Sequence, residues 1–289
     1  MEFSPLLPLL FQLGEGPVWS PSERALFFVD IPAFRVQRID WETGKLHSWR
    51  MPSEPGSAVP AEDGSIIVAL RDGFYRFVPG KNALTRLGAP DYDPLTMRLN
   101  DGRCDAAGRF WAGTMDQTRT SNGAGLWCLD RGHLRKGPHG VTLSNGLAFS
   151  PDGRFAYHAD SVARIIYRYR YDLSNGLMDA RETWFTVPDG LGDPDGAAVD
   201  VQGNYWVAMY GGGCLLKLGS DGGLIAKVDV PVRCPTMVAF AGSDLRSLVV
   251  TSSRRNRPES ELAAYPLSGT VLVATGTGAQ GQSEQAYRN

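Results

Sequence analysis

No apolar run in this chain approaches the ~18 residues that a membrane-spanning helix requires, so the sequence offers no membrane span and no membrane partner. Residues 5–11 are apolar but short. Glu2 stands where a signal peptide carries positive charge, and no small-residue cleavage pattern follows. That stretch reads as an ordered first strand. Cysteine is scarce: Cys104, Cys128, Cys214 and Cys234 lie far apart and form no C-x-x-C pair. The spacing argues against a disulfide framework. It favours half-buried strand thiols in a reducing compartment, with the cytoplasm as the expected location. Histidine is equally sparse, and His47, His133, His139 and His158 show no zinc-site spacing.

An excess of one charge is also missing. With 29 basic and 31 acidic residues the formal net charge is −2, so no long-range field invites nucleic acid. The densest basic run, Arg254, Arg255 and Arg257, ends at Pro258 and reads as a solvated loop. Familiar catalytic signatures fail in turn. No G-x-S-x-G elbow is present, and Tyr210-Gly211-Gly212-Gly213 lacks the Lys-Ser/Thr of a phosphate loop. The segment from Asp189 has Leu191 where a calcium loop needs an oxygen, and Gln202 where it needs Glu.

Glycine and proline are abundant instead, 34 and 19 of 289 residues, together roughly 18% against ~12% in average proteins. They mark a repeated turn. Ser150-Pro151-Asp152-Gly153 precedes Arg154-Phe155-Ala156-Tyr157, and similar turn-then-strand segments begin at Ser20, Ala61, Asp105, Asp200 and Gly242. The intervals are 41, 44, 45, 50 and 42 residues. Each copy is flanked by runs rich in Val, Ile, Leu and aromatics, and no long helical period interrupts them. A 40–50-residue period of about four strands is the signature of a propeller blade. The expectation is all-β: one six-bladed β-propeller domain over residues 1–289, closed by pairing residues 3–11 with residues 270–274.

Five positions ahead of four of these turns stand Glu15, Asn100, Asn145 and Asp195; the other two blades carry Gly56 and Met237 there. Equivalent positions in a propeller are related by rotation about its axis, so the four oxygen-bearing side chains should converge at one mouth of the channel. Two facing carboxylates repel and are costly to desolvate. A divalent cation removes that cost, and the amide oxygens of Asn100 and Asn145 can add neutral ligands. The oxygen donors favour Ca²⁺, Mg²⁺ or Mn²⁺, while Zn²⁺ and Fe²⁺ stay open.

Gly14-Glu15-Gly16-Pro17, Arg98-Leu99-Asn100-Asp101-Gly102, Gly113-Thr114-Met115, Ser144-Asn145-Gly146-Leu147 and Pro194-Asp195-Gly196 occur in that order. Together they make the chain resemble the regucalcin/senescence-marker-protein/gluconolactonase family along essentially its full length. The resemblance implies a six-bladed propeller that hydrolyses a small-molecule sugar lactone with one divalent metal cation. It implies Glu15, Asn145 and Asp195 as metal ligands, Asp195 also as general acid/base, and Arg98 and Asn100 as substrate contacts. Some relatives carry an acidic substrate contact after Gly-Thr-Met, and ungapped counting places Thr118 there. A monomer or weak oligomer is expected. The competing functions are a phosphotriesterase-like hydrolase on the same metal cradle and a non-enzymatic calcium-binding propeller; fold alone does not choose between them.

Overall fold

One hydrogen bond closes the repeated turn in five of its six copies. In the computed structural model, which describes residues 1–289, the Gly108 amide donates to the Asp105 carbonyl at 2.9 Å. Gly64 to Ala61, Gly153 to Ser150, Gly203 to Asp200 and Leu245 to Gly242 repeat that bond. The leading aspartates reinforce it. Asp105 Oδ1 accepts from the amides of Ala107 (2.8 Å) and Arg109 (3.1 Å), and Asp200 Oδ1 accepts from those of Gln202 (3.0 Å) and Asn204 (2.9 Å). Their second oxygens take the indole N–H of Trp111 (3.1 Å) and Trp206 (3.0 Å) on the strand that follows. A short acceptor side chain that can bond its own turn is what this position needs.

Each turn joins the first two strands of a four-stranded antiparallel sheet, and six such sheets form the ring of a β-propeller. Blade 1 comprises Gly14–Ser20, Ala25–Asp30, Arg35–Asp40 and Leu46–Arg50. Blade 2 comprises Pro55–Pro60, Ile66–Leu70, Gly73–Val78 and Ala83–Gly88. Blade 3 runs through Met97–Cys104, Phe110–Asp116, Ala124–Asp130 and His133–Val141, and blade 4 through Ser144–Phe149, Phe155–Asp160, Ile165–Asp172 and Leu177–Thr186. Blade 5 consists of Asp193–Val199, Tyr205–Tyr210, Cys214–Leu218 and Leu224–Asp229. Blade 6 combines Pro235–Ala241, Ser247–Ser252 and Leu272–Ala274 with Ser4–Pro5 from the other end of the chain. The one α-helix, Glu259–Ala264, is short, and no helix is long and apolar enough to cross a membrane.

Second strands are covered on both faces by neighbouring blades, so they are mostly apolar and nearly continuously buried rather than alternating. Ala25–Asp30 and Ile66–Leu70 are buried throughout, whereas the outermost Leu224–Asp229 alternates between exposed and half-buried. Between blades 2 and 3, Ile67, Ala69 and Phe74 pack on Leu99, Phe110 and Trp127, with the Phe74 and Phe110 rings edge-to-face at 5.5 Å. Burying one such large side chain is worth about 1.5–3 kcal/mol. The four cysteines are free and fully buried, a correction to the half-buried setting expected of them: Cys104, Cys128 and Cys214 lie on strands enclosed by adjacent blades.

Closure follows the expected pairing. Ser4 and Pro5 pair with Val273 and Leu272, and the Leu6 and Phe11 amides donate to Val271 (2.8 Å) and Gly269 (2.7 Å). The C-terminal segment forms a second fastening that the repeat does not announce. Tyr287 bridges Ala61 and Gly281 bridges Asp200, while the Arg288 amide donates to Gly108. All three partners belong to the repeated turns, so the tail crosses the turn end of the ring and leaves the opposite end open. Phe11 is buried against Trp19 and Phe28, 4.9 Å from the Phe28 ring. Phe11→Ala should lower unfolding stability by about 3–5 kcal/mol, read as a shifted denaturant midpoint. An unchanged midpoint would show that the N-terminal segment does not hold the ring closed.

Candidate functional site

The first strand of every blade slips register once, near the open end. In blade 1, Gly16 and Pro17 together oppose the single residue Phe28. In blade 3, Asn100 and Asp101 oppose Gly113. In blade 4, Gly146 and Leu147 oppose His158, and in blade 5 Asp195 and Gly196 oppose Ala208. Such bulges bend a strand and re-aim its side chains. Here they turn Glu15, Asn100, Asn145 and Asp195 toward the axis. Gly146 has a φ of 60°, and a Cβ there would sit 2.4 Å from the Tyr205 hydroxyl and 3.0 Å from the Asp195 carbonyl. Its lack of a side chain lets blades 4 and 5 bring Asn145 and Asp195 together.

All five residues expected at the site line one cavity of about 410 Å³ at that open end: Glu15, Arg98, Asn100, Asn145 and Asp195. Each is buried, with exposures between 4% and 8%. Asn145 donates from Nδ2 to Ser161 Oγ (2.8 Å), and Ser161 donates on to the Pro194 carbonyl (2.6 Å). Asn145 Oδ1 therefore faces inward, where it accepts from Asn100 Nδ2 at 2.7 Å. Asn100 Nδ2 also bonds the Ser144 carbonyl, so its own amide oxygen stays free. Asp195 Oδ1 is buried without any partner.

The two buried carboxylates are short of positive charge. Burial, and then the neighbouring Asp101, push Glu15 up to about 8, against the Gly16 amide and Arg98. Asp195 is held well above the usual carboxylate range by burial first, then by Glu15, Asp101 and Asp193. Arg98 is lowered to about 10, mainly by its own burial. Of the arginines that line the cavity only Arg98 acts on Glu15, and none offsets Asp195, so the shortage is local to these two carboxylates. Nowhere do three or more His, Cys, Asp or Glu side chains converge as a metal site, so a cation held here needs the Asn145 amide oxygen beside Glu15 and Asp195. The unpartnered Asp195 Oδ1 and the all-oxygen donor set fit such an ion.

Several residues at the site were not singled out by the repeat. Asp101, next to Asn100, is buried with Oδ1 unpartnered and Oδ2 accepting from the Leu147 amide at 3.1 Å; its direction depends on the bulge. Glu54 and Arg71 lie on the wall as a two-pronged ion pair, both contacts 2.8 Å. Arg255 and Arg257 also line the cavity: the basic run is the exposed loop expected of it, with Arg255 exposed, but it borders the site. Thr118 bonds Asp116 and Thr120, while its neighbours Gln117 and Arg119 reach the cavity wall. His158 lies behind the site, with Nε2 2.6 Å from Ser144 Oγ, and burial lowers it to about 3, keeping it neutral.

Comparison with known proteins gives consistent matches. The SMP-30/Gluconolactonase/LRE-like region matches residues 13–254. The chain is 44% identical over 263 residues to a 6-deoxy-6-sulfogluconolactonase of Pseudomonas putida, covering 90% of both chains. It is 38% identical to a pentonolactonase of Haloferax volcanii over 84% of this chain and 82% of that one. A crystal structure of a calcium-binding protein, regucalcin, from Agrobacterium tumefaciens superposes with a TM-score of 0.93 at 26% identity, covering 99% and 97% of the two chains.

The raised Glu15 carboxyl has a consequence for stability. Its folded value, about 8, lies above its ordinary 4.5, so the folded state binds the extra proton. That contribution is full below about pH 4.5 and is lost as pH rises through about 8. In chelator, the melting temperature should fall across this window by roughly 2–4 °C or more, and Glu15→Gln should flatten the fall. Identical profiles for wild type and variant would show that Glu15 is not held protonated.

Proposed function

This chain belongs to the SMP-30/gluconolactonase/LRE-like family, and from that premise we propose that it hydrolyses a sugar (aldono-) lactone to the sugar acid. The whole chain, residues 1–289, would act as one propeller domain. Glu15, Asn145 and Asp195 would hold one divalent cation, Asp195 would be general acid/base, and Arg98 and Asn100 would contact substrate. The observation that carries this reading is the pair of buried carboxylates, Glu15 and Asp195, in one cavity with Asp195 Oδ1 unpartnered. The lactonase names of the two relatives support the reaction class. The calcium-binding description of the structural neighbour supports the metal.

Glu15, Asn145 and Asp195 would hold the divalent cation, which would supply Lewis-acid polarisation of a carbonyl oxygen. The chain's own residues do the remainder. Asp195 takes a proton from the attacking water and returns it to the departing ring oxygen. Arg98 hydrogen-bonds substrate oxygens through a guanidinium whose only protein bond is one Nη1 contact to the Leu99 carbonyl. Asn100 offers its free amide oxygen to a sugar hydroxyl. Ser161 and Ser144 keep the two asparagines from rotating away.

Lactone hydrolysis followed by acid release should vanish in chelator and return with a divalent cation. Persistence in chelator would remove the metal from the reaction, and cation binding without turnover of any lactone would favour the calcium-binding propeller. Asp195→Asn keeps size and one ligand oxygen but loses the base. Its kcat should fall by about 10²–10⁴ even at saturating cation, with the melt showing a folded protein. Full activity there would end the acid/base assignment. Arg98→Ala should chiefly raise KM, as loss of ground-state binding does; unchanged kinetics would take Arg98 out of the substrate contacts.

A further inference from the structure

The cavity holds more arginine than a neutral sugar calls for. Five guanidinia line it: Arg71, Arg98, Arg119, Arg255 and Arg257. Two are spoken for. Arg71 is clamped on Glu54, and Arg257 is clamped on Glu261 of the short helix, with Nε at 2.6 Å. Neither Arg119 nor Arg255 makes a side-chain hydrogen bond or ion pair to any residue, and Arg98 bonds only the Leu99 carbonyl. Glu54 and Glu15 offset part of the Arg98 charge, and no acidic residue of the wall pairs with Arg119 or Arg255. Glu54 is used by Arg71, Asp193 faces Arg164 at the outer edge at 3.8 Å, and Glu15 and Asp195 are assigned to the cation.

Arg255 is not on a free-swinging loop. The amides of Arg254 and Arg255 both donate to the Gln12 carbonyl, at 3.1 and 3.0 Å. The Arg255 amide also contacts Ser253 Oγ. Asn256 then adopts a φ of 56°, a conformation that asparagine tolerates better than most residues. The Arg257–Glu261 pair fixes the far side. A backbone secured before and after it presents one exposed guanidinium to the cavity, near enough to Arg98 that the two charges act on each other. Cations gathered in a concave, partly dry site attract an anion far more strongly than the same charges spread over open surface.

We propose that Arg255, with Arg98, binds an anionic substituent on the lactone, a sulfonate or phosphate at the end remote from the ring ester, and so sets substrate choice at the rim. This rests on the lactone-hydrolase reading for the reaction but not for the binding. The carboxylate released by hydrolysis forms at the reacting carbonyl beside Glu15 and Asp195, so it is not the anion that the exposed Arg255 awaits. A guanidinium presents paired N–H donors to tetrahedral oxyanions. Asn and Gln side chains would serve the hydroxyls of a neutral sugar without this charge.

The test compares D-glucono-1,5-lactone with the same lactone carrying sulfonate or phosphate on C6, at low and moderate salt. The protein should prefer a charged lactone in kcat/KM by at least about tenfold, and Arg255→Gln should erase about 10–100-fold of that preference, mainly through KM. Arg255→Lys should retain part of it. Whichever anion gives the larger preference identifies the source. Calorimetry supplies a readout free of turnover: C6-sulfonated or C6-phosphorylated gluconate should bind more tightly than gluconate, and Arg255→Gln should remove the difference. Equal kcat/KM for neutral and charged lactones, with Arg255→Gln leaving the ratio unaltered, overturns the anion assignment while the hydrolase stands. Tighter, Arg255-dependent binding of the charged acids with no lactone hydrolysed overturns the hydrolase and upholds the anion site.

Discussion

Two carboxylates buried at one end of a propeller axis govern this molecule. Glu15 and Asp195 come from blades 1 and 5, are almost fully enclosed, and share no basic partner between them. Both are pushed up by burial, and Asp195 further by the charge of Glu15. An arrangement of that kind costs stability unless a proton or a cation sits between the groups. Folds do not accumulate such a cost by packing alone, and the cavity in front of it is where a reaction can recover it.

The surrounding architecture serves that juxtaposition. Bulges at one repeat position re-aim first-strand side chains. Gly146 admits the close approach of blades 4 and 5, and Met237 fills the space left at Gly196, where a Cβ would lie 2.3 Å from its Cγ. Blade 6, the one completed by both chain ends, also carries the Arg255 loop. The tail fastened across the repeated turns keeps the opposite end covered. The cavity with Glu15 and Asp195 opens at the other end.

What could be read from residues alone followed the reach of each signal. The turn repeat was legible because Asp105 and Asp200 bond within their own turns, so local chemistry left a local mark. Glu15, Asn100, Asn145 and Asp195 were legible because a fixed phase carried them to one axis. Asp101 stands one residue from that phase, and only the bulge decides that it turns inward to the Leu147 amide. Arg255 lies on irregular chain outside the repeat, where a basic run looks the same whether solvated or facing a cavity. The Glu54–Arg71 pair joins residues 17 apart with no periodic relation, and the fastening of Tyr287 to Ala61 spans most of the chain. Long-range pairings of that kind have no counterpart in composition or period.

The central claim is that the two carboxylates and Asn145 form a cation cradle. Crystals grown with Mn²⁺ and measured for its anomalous scattering address it directly. One peak should appear in the cavity, within about 2.0–2.6 Å of side-chain oxygens from Glu15, Asn145 and Asp195. A cavity free of anomalous signal at saturating Mn²⁺, or a peak whose ligands exclude both carboxylates, would contradict the account.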